Sequence, residues 1–183
     1  MTILNEKEFI RLLQDPQSQR EAFEKVVQTY SEPLYRQIRR MVLNHDDAND
    51  VLQNTFLKAW TNIEYFRGDA KLSTWLYRIA INESLTFLSR QQAQQSLTID
   101  ELNEARIEEL SGDPFFDGDA AQIALQKAIH TLPEKQRVVF QMKYFEEMKY
   151  EDISDIVGTS VGALKASYHH AVKKIEDFFN LHF

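Results

Sequence analysis

Between positions 165 and 174 the chain carries Lys165, Ser167, His169, His170, Lys173 and Lys174, with no acid until Glu176. On a helix these side chains turn away from Leu164, Tyr168, Ala171 and Ile175, whose three- and four-residue spacing marks an inner face. Ammonium, imidazole and hydroxyl groups donate to phosphate oxygens and base edges, so the outer face has the chemistry of a major-groove reader. A solvated face of an ordinary bundle has a similar composition. The residues just before it tip the balance. Ile153, Ile156 and Val157 form one short apolar face that stops at Gly158, a residue free to take the left-handed turn, and Ser160 then stands as the cap of the next helix. Two short helices about a tight glycine turn read as a helix-turn-helix.

A second cluster mixes aromatic and cationic side chains. Tyr65, Phe66, Trp75 and Tyr77 lie around the loop Arg67–Lys71, with Arg67, Lys71, Arg78 and Arg90 interleaved. Aromatic rings beside cations can stack unpaired bases while neutralising the backbone. Many helical aromatics instead fill cores, and Trp60 and Tyr65 are expected there. Asn82 carries an amide able to read a base by two hydrogen bonds, in a helix where asparagine lowers propensity.

Signals of catalysis are weak, and no catalytic, metal or cofactor residues are expected. His169 and His170 are adjacent, so a helix splays them rather than pairing them as i, i+4 metal ligands. His45-Asp46-Asp47 reads as a helix start, and Glu146-Glu147 as a solvated turn. There is no glycine-rich phosphate loop, no Gly-x-Ser-x-Gly elbow and no cysteine, which removes disulfides, thiolate metal sites and a thiol nucleophile.

The net charge of −7 argues against nucleic acid only until it is located. Residues 1–91 and 122–183 are each neutral, and residues 92–121 hold eight carboxylates against Arg106 alone. That middle stretch contains Gly112, Pro114 and Gly118 and opens Gln/Ser-rich, as an acidic flexible linker does. Ile99, Leu102, Ile107 and Leu110 allow one short helix in it, without the apolar mass for a core.

The elements that must position these groups are all helical. Glycine is rare, at five residues, and no alternating run suits a sheet. The pattern predicts helices over 5–14, 20–43 (kinked or interrupted at Pro33), 46–63, 73–89 with Ser73 as cap, 120–131 and 134–145, then the helix-turn-helix. The fold class is therefore all-α, two small domains on either side of the linker. No apolar run spans a membrane, and Met1–Glu8 lacks the order of a signal peptide, so a soluble, cytoplasmic chain is expected.

The order of segments resembles the two-domain sigma factors of bacterial RNA polymerase, in the extracytoplasmic-function (group IV) class. Asp46-Asp47-Ala48-Asn49-Asp50-Val51-Leu52-Gln53 through Trp60 is similar to that family's core-binding segment. Phe66-Arg67-Gly68-Asp69-Ala70-Lys71-Leu72-Ser73-Thr74-Trp75 through Asn82 resembles its promoter-opening segment. Leu132-Pro133-Glu134-Lys135-Gln136-Arg137 and Ser160-Val161-Gly162-Ala163-Leu164-Lys165 resemble the start and the recognition helix of its second DNA-binding domain.

The resemblance implies roles at the matching positions. Residues 1–91 would be the region 2-like domain, with Asp47, Asp50, Gln53, Phe56, Leu57 and Trp60 docking on core polymerase. Phe66, Arg67, Gly68, Asp69, Lys71, Trp75, Arg78 and Asn82 would hold and melt the minus-ten element. Residues 122–183 would be the region 4-like domain, with Ser160, Val161, Lys165, Ser167, His169, His170 and Lys173 on the minus-thirty-five element. The acidic segment would thread through the polymerase's cation-lined channels. Implied partners are core RNA polymerase, promoter DNA and a cognate anti-sigma factor. Ser167, His170 and Val172 stand where family members commonly carry arginine. Read without the resemblance, a stand-alone helix-turn-helix regulator with a sensing or dimerising N-terminal domain stays open, as does a helical adaptor that binds only protein.

Overall fold

The computed structural model describes residues 5–183, without the side chain of Ile99; residues 1–4, the start of the signal-peptide reading, lie outside them. The described residues form nine α-helices: α1 (Glu6–Gln14), α2 (Gln19–Val42), α3 (His45–Asn62), α4 (Leu72–Gln95), α5 (Ile99–Glu109), α6 (Ala120–His130), α7 (Glu134–Tyr144), α8 (Tyr150–Val157) and α9 (Val161–His182). None of them is long and apolar enough to cross a membrane.

Local chemistry accounts for most boundaries. Asn44 caps α3 by accepting from the Asp47 amide at 3.0 Å, and Asp119 caps α6 by accepting from the Gln122 amide at 3.0 Å. Thr98 and Glu101 satisfy each other's backbone in a capping box that starts α5. Pro33 lies inside α2 and does not end it, so the stretch is one helix as expected. One expectation needs correction: Ser73 is not the cap of α4, whose N-cap position is Lys71. The Leu72 amide, at the first position of α4, is instead met by the Glu6 carboxylate of α1 at 2.7 Å, a partner no local pattern predicts.

Helices α1–α4 enclose a core of Leu13, Val26, Leu34, Ile38, Val51, Ile63, Leu76 and Ala80, all essentially inaccessible. Ala128, Ile129, Leu132, Phe140, Ala171 and Ile175 form a second core under α6, α7 and α9. The first core continues into Val138, Met142, Ile153 and Leu164 of the C-terminal helices, so the two halves are packed together.

The acidic segment also departs from expectation. The one short helix its periodicity allowed is there as α5, but the segment is not a free linker: Leu102, Ile107 and Leu110 are buried. Ile107 and Leu110 pack with Leu43, Phe116 and Ile123 in a third small cluster. The apolar mass missing from the segment itself comes from the domains on either side.

Candidate nucleic-acid interface

Helix α9 carries the first candidate surface. Gly158 takes φ +71° and ends α8, and the Ser160 hydroxyl accepts from the Ala163 amide at 3.3 Å to begin α9. Leu164, Ala171 and Ile175 are buried and Tyr168 is half-buried, as the inner face requires. Lys165, His169, His170 and Lys173 are exposed on the opposite side; Ser167 and Val161 are half-buried. Lys165 lies 5.8 Å from the Tyr150 ring, which steadies the start of the basic face.

The loop before α4 is built around Gly68, whose φ of +73° suits the absence of a Cβ. The Gln14 amide fixes the loop by donating to the Phe66 carbonyl at 2.6 Å. Arg67, Gly68, Asp69, Lys71, Arg78 and Asn82 are exposed. Phe66 is not: it is 7% exposed, its ring 5.0 Å from that of half-buried Trp75. Its ring therefore supports the loop from below rather than stacking on a base in this conformation. Trp60 and Tyr65, expected in the core, are 41% and 76% exposed. The 3-10 turn Ile63–Tyr65 buries Ile63 and so rotates Tyr65 outward.

Helix α3 presents a stripe instead of a cluster. Asp50, Gln53, Leu57 and Trp60 are exposed at offsets of three and four, one continuous face. Phe56 sits behind it, edge-on to Phe23 with ring centroids 6.3 Å apart. An exposed apolar pair flanked by carboxylates suits a protein partner better than a nucleic acid. Asp47, at the top of the stripe, is already engaged: its carboxylate pairs with Arg106 of α5 at 2.7 Å.

The surface around the Arg67–Lys71 loop also touches α8, the helix before α9. Lys71 donates to the Asp152 carboxylate at 2.8 Å, and Arg78 donates to the Asp155 carbonyl at the end of α8. Deeper in, Arg40 pairs with Glu146, the Gln141 amide donates to the Arg40 carbonyl at 3.1 Å, and Arg39 pairs with Asp113. Glu146, read from sequence as part of a solvated turn, is thus half of a mostly buried ion pair. Sequence reasoning assigned no role to Arg106, Gln141 or Asp152. Only Arg106 left a signal, as the single cation of an acidic stretch.

Comparison with known proteins gives these surfaces a context. The family model for Sigma-70 region 2 matches residues 26–94, and that for Sigma-70 region 4 matches residues 122–175. The chain is 29% identical over 167 residues to the ECF RNA polymerase sigma factor SigW of Bacillus subtilis (strain 168), covering 87% of this chain and 89% of that one. It is 29% identical over 170 residues to the ECF RNA polymerase sigma-E factor of Haemophilus influenzae, covering 88% and 89%. Its fold is similar to CnrH solved in complex with the cytosolic domain of CnrY, at TM-score 0.70 and 20% identity, covering 97% of this chain and 99% of that one. It is also similar to RpoE of Bartonella quintana solved with the anti-sigma factor NepR, at TM-score 0.66 and 20% identity, covering 88% and 98%.

Proposed function

The chain belongs to the extracytoplasmic-function class of the sigma-70 family, a family of transcription initiation factors, and we propose from its surfaces how it directs RNA polymerase to promoters. The stripe Asp47, Asp50, Gln53, Leu57 and Trp60 docks on core polymerase, with Phe56 packed behind it. The loop Arg67–Lys71 with Trp75, Arg78 and Asn82 captures a base that leaves the minus-ten duplex, offsetting an unstacking cost of a few kcal/mol by pocket contacts. Phe66 holds that loop in shape. The face Ser160, Val161, Lys165, Ser167, His169, His170 and Lys173 enters the major groove of the minus-thirty-five element.

The observation that carries this reading is the separation of chemistries on one fold: an acidic and apolar stripe on α3, exposed cations and an amide around the 67–82 loop, and a basic face on α9. Both halves are electrically neutral, so neither holds duplex DNA strongly by itself, and promoter reading depends on polymerase holding the two together. The chain makes and breaks no covalent bond in this scheme. It acts in the cytoplasm, beside polymerase and chromosome, and an anti-sigma factor is its third partner.

The test is reconstitution. Core polymerase with this chain is expected to give run-off transcripts from a subset of genomic promoters, and core alone none. A chain that fails to co-purify with core polymerase, yet binds a promoter at nanomolar affinity unaided, is instead a stand-alone regulator.

A further inference from the structure

Arg106 is 7% exposed and reaches three helices of the N-terminal half at once. One guanidinium nitrogen donates to the Val42 carbonyl at the end of α2; the other donates to the Asp47 carboxylate near the start of α3, at 2.7 Å, and to the Gln91 side-chain oxygen in α4. The Val42 carbonyl is among the last of its helix, where carbonyls lack partners and a cation is favoured. The Phe87 ring lies 5.9 Å from the same guanidinium. Burial lowers the proton affinity of Arg106 and the Asp47 charge restores part of it, the balance of a cation held in a fitted place.

The rest of the segment reinforces this seat. Ile107 and Leu110 pack on Leu43, Asp113 pairs with Arg39, and Phe115 stacks on His45 with ring centroids 3.6 Å apart. Tyr35 hydroxyl and His45 Nδ1 lie 2.6 Å apart, fixing that imidazole. Residues 106–115 therefore cover the stretch Val42–Asp47, where the docking stripe of α3 begins. The interface is also easier to open than a core. Asn103 Nδ2, buried on α5, and Arg39 Nε, on the residue that pairs with Asp113, have no hydrogen-bond partner among the described residues. Such atoms recover hydrogen bonds to water on opening.

We propose that the α5 segment is an internal ligand of the polymerase-docking face, anchored by Arg106, and that core polymerase binds only after this segment has left Asp47. This rests on the assignment of Asp47 to the docking face. Arg106 holds one oxygen of the Asp47 carboxylate and residues 106–115 lie over Val42–Asp47, so a partner docking there and the α5 segment compete for the same space. A chain whose docking-competent form is a minor fraction shows its intrinsic dissociation constant divided by that fraction, and removing the anchor restores the loss.

The absence of cysteine allows site-specific labelling of the full chain. Spin labels at Gln28→Cys and Ala105→Cys, both exposed positions on α2 and α5, report whether α5 is seated. The unaltered anchor is expected to give one narrow distance distribution, and Arg106→Ala a broad, longer one. In titrations with core polymerase, Arg106→Ala is expected to bind at least fivefold more tightly. Because loss of a buried arginine can disturb packing, two further variants are run beside it: Arg106→Lys, which keeps a cation at the seat, should hold a narrower distribution than Arg106→Ala, and Arg106→Ala with Asp47→Ala should stay open yet lose polymerase binding. Unchanged distances in Arg106→Ala, or opening with no gain in affinity, overturn the proposal. A double variant Arg106→Ala with Asp47→Ala that binds polymerase as tightly as Arg106→Ala overturns the docking assignment of Asp47 itself, a separate failure.

Discussion

Lys71 and Asp152 meet at 2.8 Å across the two halves of the chain, joining the loop before α4 to the first turn of the helix-turn-helix. Their side chains are 59% and 27% exposed, so solvent and salt screen the pair. Asp152 raises the proton affinity of Lys71 by hydrogen bonding and by charge, and the cation is occupied rather than free for phosphate. Asp152→Asn should therefore leave folding unchanged and raise affinity for a single-stranded minus-ten oligonucleotide about two- to threefold at low salt, one recovered phosphate contact. Anisotropy titrations at two salt concentrations measure this; identical affinities would mean Lys71 does not face the strand.

Asn82 is exposed on α4, beyond the Arg67–Lys71 loop. A bidentate base contact discriminates by about 1–3 kcal/mol, so Asn82→Ala should lower run-off transcription about tenfold at limiting holoenzyme. A pre-melted bubble template should rescue it only in part, with the residual defect depending on the base at the captured position. Indifference to that base on all four bubble templates would leave Asn82 an ordinary surface residue.

Lys165 opens the basic face of α9. Lys165→Ala should weaken closed-complex formation on duplex promoters and reduce the salt slope of binding by about one, as loss of a phosphate contact does. Bubble templates should give this mutant no base-dependent defect. Footprinting of the closed complex across a salt series reads both effects.

Burial, with the nearby Arg137 charge second, lowers the His130 pKa from 6.5 to about 3. An unfolded chain protonates this imidazole near pH 6.5 and the folded chain only near 3. Stability therefore falls as pH drops through that window, because the unfolded state binds the additional proton. The urea midpoint should decline between pH 6.5 and 4.5, and His130→Gln should flatten that decline whatever it does to stability at pH 7. Parallel declines for the two chains would exclude His130 as the source.

Gly158 holds φ +71° with no atom near its missing Cβ, so an added methyl meets strain and no clash. Gly158→Ala should cost about 1–2 kcal/mol through backbone conformation alone. Thermal unfolding shows it as a drop of a few degrees, with promoter preference preserved.

Much of the fold is legible in neighbouring residues alone. The α8–turn–α9 unit follows from Gly158, Ser160 and the Leu164–Ile175 spacing, all contained within about twenty-five neighbouring residues. The exposed α9 face and the loop cations follow from the same local periodicity, because a helix shows its pattern without help from the rest of the chain. Side-chain burial at irregular places was less legible: a single 3-10 turn moved Tyr65 outward, and the loop drew Phe66 in.

What the sequence determined by itself is therefore the helices and their apolar and basic faces, the local caps Asn44, Asp119 and Ser160, and the neutrality of both halves beside one acidic segment. Tertiary structure alone decided what meets what. Arg106 finds Asp47 at a separation of 59 residues and Val42 at 64, and Lys71 finds Asp152 at 81. No periodicity encodes such pairs, since hydrogen bonding and charge specify only the kind of partner a side chain needs. Which partner it receives depends on how the helices pack, and that packing turned an apparent linker into a cover for the start of α3.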